Sequence, residues 1–177
     1  MSSRPHEGET ESTDSEVLPQ NQLPGADERA TVQRVVVFRL GTQRYGIPLA
    51  HVDEIQQIVA FSDVPADSTS VVGMVNLRGE VIPAIDVRRL VGMEDRAYTL
   101  ETPMIIAHSD AHTVALIVDV AEDVVELPDS GFQSASPLHA LSSKMIGVYH
   151  LDGGLVYLLD LDELLEQVLL GEEAENV

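Results

Sequence analysis

Histidine and acidic side chains are the residues of this chain that could do chemistry, and two groupings of them resemble metal sites. His108 and His112 flank a predicted hairpin turn and could approach each other across it. Two imidazoles without a carboxylate-rich pocket rarely make a metal site, which usually takes three or four protein ligands. The acidic run at 160–163 is better explained as a helix start, where the helix dipole favours carboxylates. We therefore predict no metal and no cofactor.

Catalytic nucleophiles lack a motif context in this sequence. The chain has no cysteine, which excludes thiol catalysis and disulfides. The serine pair at 142–143 lies in a predicted loop, and the sequence has no G-x-S-x-G elbow and no glycine-rich phosphate loop. The sequence therefore favours a protein that is not an enzyme.

The composition is strongly acidic. Among 177 residues, 30 are acidic and 10 are basic, so the net charge is −20. This charge repels nucleic-acid phosphates and anionic membrane surfaces, so we expect neither as a partner. The acidity has two open explanations, a high-salt adaptation and ordinary acidity. Because no signal peptide is visible and no apolar run approaches the ~18 residues of a membrane span, a cytoplasmic location is expected.

The chain divides into a long acidic start, one domain and a short acidic end. Residues 1–31 combine many carboxylates with prolines and serines, which predicts a disordered tail. Residues 32–170 are rich enough in apolar residues to form a core, and residues 171–177 form a second acidic tail. The middle segment is therefore the folded domain.

Short apolar segments separated by turn residues predict a mostly β domain. The chain is organised around a hairpin at 71–90, whose two strands flank the turn Leu77-Arg78-Gly79-Glu80 and whose end opens a short helix at Asp86. The other predicted strands are 35–40, 44–47, 52–59, 104–108, 112–120, 121–127, 145–151 and 155–159. A leucine-rich helix at 161–170 is expected to end at Gly171.

A duplication is visible within the domain. Adding 74 to the positions of Gly73, Gly79 and Asp86 gives Gly147, Gly153 and Asp160. The region around residue 46 resembles the region around residue 115 in hydropathy, at an offset of about 69. Two such repeats of short strands predict two small β-barrels packed together, one near 47–120 and one near 120–160, with strands exchanged at their boundary.

Five segments, in this order and spacing, carry a family resemblance. They are Phe38-Arg39-Leu40-Gly41, Tyr45-Gly46-Ile47, Val52-Asp53-Glu54-Ile55, Gly73-Met74-Val75-Asn76-Leu77-Arg78-Gly79 and Ile82-Pro83-Ala84-Ile85-Asp86-Val87-Arg88. Together they resemble the CheW-type chemotaxis coupling proteins. The resemblance implies two intertwined five-stranded SH3-like barrels with a C-terminal helix. It also implies a non-catalytic adaptor whose partners are chemoreceptor cytoplasmic tips and the regulatory domain of a CheA-type histidine kinase.

The resemblance also implies which residues contact partners. Arg78 matches the arginine of the family turn, Glu54 matches the acid that pairs with it, and Val52 matches an apolar position at the receptor-contact groove. The expected partner-binding set is Arg78, Glu54, Val52, Leu77, Asn76 and Gly79. Arg78 is expected to be half-buried against Glu54 rather than freely exposed.

The sequence leaves a second function open, a small-ligand-binding or oligomerising barrel without a kinase partner. The loop at 61–70 departs from the family pattern because it is acidic and rich in serine and threonine, which leaves receptor preference open. The turn at 151–154 departs too, since it carries Asp152 where the family often has a basic residue.

Overall fold

The computed structural model describes residues 32–60, 62, 70–128, 131–134 and 142–174. The predicted disordered tail at 1–31 and most of the polar loop at 61–70 lie outside these residues. Within them the chain forms two β-sheets and two α-helices.

The first sheet has five strands, in the order β3-β6-β7-β5-β4, and the second has six, in the order β8-β1-β2-β11-β10-β9. The strands of the first are β3 Val52–Gln57, β4 Val71–Leu77, β5 Glu80–Asp86, β6 Pro103–His108 and β7 Thr113–Ile117. Those of the second are β1 Val32–Leu40, β2 Gln43–Pro48, β8 Val120–Pro128, β9 Phe132–Gln133, β10 Met145–Leu151 and β11 Gly154–Leu159. Helix α1 covers Val87–Leu90 and α2 covers Leu161–Ala174. The prediction of a mostly β domain with two barrels is confirmed. The second sheet has six strands rather than five because the two-residue strand β9 is added at its edge.

The strand sequences have apolar residues at successive positions because both faces of the central strands are buried. In β6, Met104 and Ile106 pack into the core of the five-stranded sheet, while Ile105 and Ala107 pack toward the other sheet. Three apolar clusters result, one inside each sheet and one shared between the sheets. The shared cluster is the largest and includes the apolar face of α2. The two sheets therefore hold each other in place.

The predicted duplication is confirmed by strand register. Val36 pairs with Ile47, and 69 residues later Ile105 pairs with Leu116. Register irregularities follow the repeat as well, since the one between Val71 and Gly73 recurs 74 residues later between Met145 and Gly147. The parallel pairs agree too: Ala84 with Ala115 corresponds to Leu158 with Gly46.

The two repeats exchange strands, which corrects the predicted barrel limits. The five-stranded sheet spans residues 52–117, close to the prediction, but the other barrel also takes β1 and β2, which were expected outside it. The reason is the parallel pairing of β2 with β11. Each barrel thus combines strands from both repeats.

Two predicted boundaries were also wrong. The strand expected over 112–120 ends at Ile117, because the backbone N–H of Val118 bonds to Pro103 in one sheet and that of Asp119 bonds to Arg39 in the other. The chain therefore crosses between the sheets at this point. Helix α2 continues through Gly171 to Ala174, since the residues after the glycine are good helix formers.

Candidate partner-binding site at a hairpin tip

The tip between β4 and β5 holds an arginine in an unusual backbone conformation. Arg78 has a φ of 53° and Gly79 a φ of 93°, as a two-residue hairpin turn with both central residues left-handed requires. Among the described non-glycine residues, Arg78 alone has a positive φ. Asn76 supports the turn, because its side-chain Oδ1 accepts a hydrogen bond from the backbone N–H of Gly79 at 3.0 Å. A costly conformation held in this way is typical of functional positions.

Arg78 contacts Glu54, as the family resemblance implied. The Arg78 Nη2 atom donates to Glu54 Oε2 at 2.8 Å. The expectation of a half-buried arginine is wrong, since the Arg78 side chain is 78% exposed and the Glu54 side chain 29%. The tip projects beyond the sheet into solvent, so its side chain lies over Glu54 rather than under other residues. An exposed pair of this kind contributes only about 0–1 kcal/mol.

The ion pair joins the two edges of the five-stranded sheet. Glu54 belongs to the edge strand β3, and Arg78 follows the other edge strand, β4. The contact therefore brings the two edge strands toward each other, as the closure of a barrel requires. It also places the tip beside β3. Arg78 and Glu54 are 24 residues apart in sequence, so no local pattern predicts their contact. Only the family resemblance could predict it.

The remaining predicted residues occupy different depths of the same end of the barrel. Val52 is half-buried and packs against the core that the two sheets share. Leu77 is half-buried against the core of the five-stranded sheet. Asn76 and Gly79 are exposed at the tip. The structure thus brings Arg78, Glu54, Asn76 and Gly79 together at the surface, while Val52 and Leu77 mainly anchor the strands.

The equivalent tip of the other barrel is chemically opposite. Adding 74 to Arg78 gives Asp152, and adding 69 to Glu54 gives Asp123. The tip between β10 and β11 thus carries Asp152 where the first tip carries Arg78, while Asp123 lies on β8. The positive φ values at this second tip belong to Gly153 and Gly154. The two hairpins therefore occupy equivalent positions in the repeat, but only the first carries an arginine at its tip.

The histidines form different contacts from those expected. His108, which could have approached His112 across the turn, lies with its Nδ1 atom 3.0 Å from Asp53 Oδ1. His51 Nδ1 lies 3.0 Å from the backbone oxygen of His108 and donates to it, since a carbonyl can only accept. Over the described ranges, no group of three histidine, cysteine, aspartate or glutamate side chains is arranged to hold a metal ion.

A second cluster, at the crossing between the sheets, was not foreseen from the sequence. Asp119 accepts hydrogen bonds from the backbone N–H of Gly41 at 2.6 Å and from the guanidinium of Arg88. The Asp119 side chain is 7% exposed and that of Arg88 16%. This buried pair ties α1 to the β1–β2 turn, so its role is structural.

Comparisons with known proteins identify the family of this chain. A family model described as the CheW-like domain matches residues 34–169. Chemotaxis protein CheW of Rhizobium meliloti (strain 1021) is 26% identical over 75% of this chain and 86% of its own. Chemotaxis protein CheW of Bacillus subtilis (strain 168) is 32% identical over 61% of this chain and 69% of its own.

A solved structure shares the fold. The scaffolding protein TtCheW from Thermoanaerobacter tengcongensis superimposes with a TM-score of 0.70 at 23% identity, covering 81% of this chain and 94% of that one. Within the described residues, no helix combines the length and apolar character that a membrane span requires. Since the family model covers more than half of the sequence, the chain belongs to the CheW-like family.

Proposed function

We propose that this chain couples chemoreceptor cytoplasmic tips to a CheA-type histidine kinase in the cytoplasm, without catalysing a reaction itself, and that the Arg78 tip is one of its contact sites. Membership of the CheW-like family supports the coupling role. The single observation that supports the site is the exposed Arg78 in a left-handed tip, paired with Glu54.

The chemistry of the tip favours recognition over stability. An exposed ion pair adds little to folding, and a left-handed arginine costs about 1–2 kcal/mol relative to an ordinary conformation. A purely structural turn would place glycine or asparagine there. The cost is offset if Arg78 pairs with a carboxylate of a partner, since guanidinium groups bind carboxylates in a directional, two-pronged way.

The test is substitution of Arg78 by alanine. We expect the Arg78→Ala protein to fold normally and to lose receptor or kinase binding by about tenfold or more, as the loss of a charged interface contact does. Co-sedimentation with receptor fragments and kinase, and kinase autophosphorylation in that assembly, measure the effect.

Two matched variants separate recognition from turn geometry. Arg78→Gly keeps the left-handed backbone without the side chain, so it should lose binding while matching or exceeding the wild-type stability. Arg96→Ala removes another exposed arginine, on the loop after α1, and should leave binding unchanged. Normal ternary assembly by both Arg78 variants would contradict the proposed site.

A further inference from the structure

One aspartate at the tip between β10 and β11 stands in a sequence context that favours reaction with its own backbone. Asp152 precedes Gly153, and this is the only Asp-Gly pair of the chain, which has no Asn-Gly pair. Both residues are exposed. Glycine carries no side chain that would hinder the approach of the aspartate carboxyl group to the following nitrogen. The tip therefore holds the peptide bond of this chain that is best suited to such a reaction.

The backbone at this tip has room to rotate. Gly153 has a φ of 97° and Gly154 a φ of 116°. A β-carbon added at Gly154 would meet no atom within 4 Å, so open space surrounds the turn. Closure of a ring between the Asp152 side chain and the next nitrogen requires rotation about the bonds of Asp152. Two successive glycines at an exposed loop tip permit that rotation.

The amide nitrogen of Gly153 lacks the partner that its counterpart has. At the first tip, the N–H of Gly79 donates to Asn76 Oδ1 at 3.0 Å. Adding 74 to Asn76 gives His150, and in the part of the chain that the structure describes no side chain accepts from the Gly153 N–H. A nitrogen that donates to a side chain reacts less readily, because the hydrogen bond must break first. Gly153 is free of that restraint.

A guanidinium group lies beside the same peptide. A β-carbon added at Gly153 would lie 3.5 Å from Arg44 Nη1. Glu122 holds Arg44 in this position, since its Oε2 atom accepts a hydrogen bond from Arg44 Nε at 2.9 Å. A guanidinium keeps its charge at every pH at which proteins fold, so it stabilises the negative charge that develops during ring closure.

We propose that Asp152 is a site of spontaneous isomerisation to isoaspartate. The Gly153 nitrogen attacks the side-chain carboxyl carbon of Asp152 and forms a bond to it, while the amide proton and the carboxyl hydroxyl group leave together as water. The succinimide ring that results then takes up one water at either of its two carbonyl groups. Opening at the side-chain carbonyl restores aspartate. Opening at the main-chain carbonyl gives isoaspartate, in which the chain runs through the former side chain. No oxidant, reductant or cofactor takes part.

The product differs from aspartate in recognition and in length. Its free carboxylate is the group that methyltransferases of the protein-repair class esterify with the methyl group of S-adenosylmethionine. Isomerisation also adds one carbon to the backbone between Leu151 and Gly154, which pair across the tip. The modified hairpin is therefore a substrate for such an enzyme and has a longer turn.

The experiment ages the purified full-length chain for several weeks at physiological temperature in water enriched in heavy oxygen. Trypsin then releases residues 145–177 as one peptide, because Lys144 is the only lysine and no arginine follows it. A purified isoaspartyl methyltransferase with a labelled methyl donor counts isoaspartate in this peptide, and fragment masses locate the heavy oxygen. In wild type the label should increase with time at Asp152. In Asp152→Glu it should stay lower by about tenfold or more, because the longer side chain must close a less favourable ring.

Matched variants assign the reaction to this tip. Asp162→Glu makes the same change at an exposed aspartate of the same peptide, on α2, and should be labelled like wild type. Arg44→Gln should slow the labelling severalfold, whereas Arg39→Gln, which removes the other arginine that contacts Glu122, should not. Aged wild type without label, or equal label in wild type and Asp152→Glu, overturns the inference. Equal rates in the two arginine variants overturn the role of the guanidinium group.

Discussion

The hydroxyl group of Tyr98 ties the loop after α1 to a buried carboxylate of the core. It donates to the carboxylate of Asp86, which is 2% exposed and also accepts a hydrogen bond from the backbone N–H of Arg88 at the start of α1. Burial, and next the hydrogen bond to Asp86, raise the pKa of Tyr98 above its ordinary value of 10.0. The folded protein therefore holds this phenol in its neutral form.

This shift predicts alkaline sensitivity. Above about pH 10 the unfolded chain releases the Tyr98 proton while the folded chain keeps it, so the free energy of unfolding falls as pH rises. Tyr98→Phe should cost about 1–3 kcal/mol at neutral pH, because Asp86 loses a donor, and should flatten the alkaline decline. Urea unfolding at a series of pH values measures both effects. An unchanged decline in the variant would show that other groups cause it, such as Tyr45, whose pKa burial also raises.

At the residue scale, the sequence could predict which residues form the candidate site but few of the contacts between side chains. The contact between Arg78 and Glu54 was predicted correctly through the family resemblance. The exposure of Arg78 was predicted wrongly, because exposure depends on how far the turn projects from the sheet. Asp119 had no signal at all, since its partners Gly41 and Arg88 come from separate segments. The contact of His108 with Asp53 had no signal either, because the two residues lie on β6 and β3, which are far apart in sequence.

At the element scale, the short strand β9 is held by one aromatic ring. The Phe132 ring packs edge-on against Tyr149 at 5.7 Å and covers Gly147 on β10. A β-carbon added at Gly147 would lie 2.1 Å from a Phe132 ring carbon. Glycine at this position is thus what allows β9 to pair with β10.

Gly147→Ala should consequently displace Phe132 and release β9 while the rest of the sheet persists. Phe132 is already 44% exposed, so the cost should stay within the ~0.5–3 kcal/mol of common substitutions. Hydrogen exchange should rise in β9 and at its partner residues in β10. Gly131→Ala is the matched control, because its β-carbon would meet Tyr149 at an ordinary 3.5 Å. Equal exchange in both variants would contradict the role of Gly147.

The elements themselves were largely readable from the sequence. The hairpins were predicted correctly because glycine or other turn residues separate apolar strands of ordinary length. The sheet crossing at Val118 and Asp119 was missed because the apolar run continues through it without a glycine or proline. Which backbone group bonds to which sheet there is decided by the distant residues Pro103 and Arg39.

At the scale of the whole molecule, charge repulsion should dominate the response to salt. With a net charge of −20, screening should raise the melting temperature as salt increases to about 0.2 M, where the Debye length falls below ~8 Å. A plateau above that concentration fits ordinary acidity, and a rise that continues to molar salt fits a high-salt adaptation. Sucrose at equal osmolality is the control. No change between low and moderate salt would contradict the repulsion argument.

The exchange of strands between the repeats also sets an order of events during synthesis. The five-stranded sheet can close once Ile117 has left the ribosome, because all its strands precede that residue. Strand β2 must wait for β11, so Tyr45 meets its neighbour Tyr157 only when the domain is almost complete. Until then, the face of the first hairpin that carries Val35 and Val37 lacks its partners Tyr149, Val156 and Leu158. Such late, distant pairing is slow and prone to aggregation. We therefore expect the growing chain to be most prone to aggregation at this hairpin, far in sequence from the residues that finally cover it.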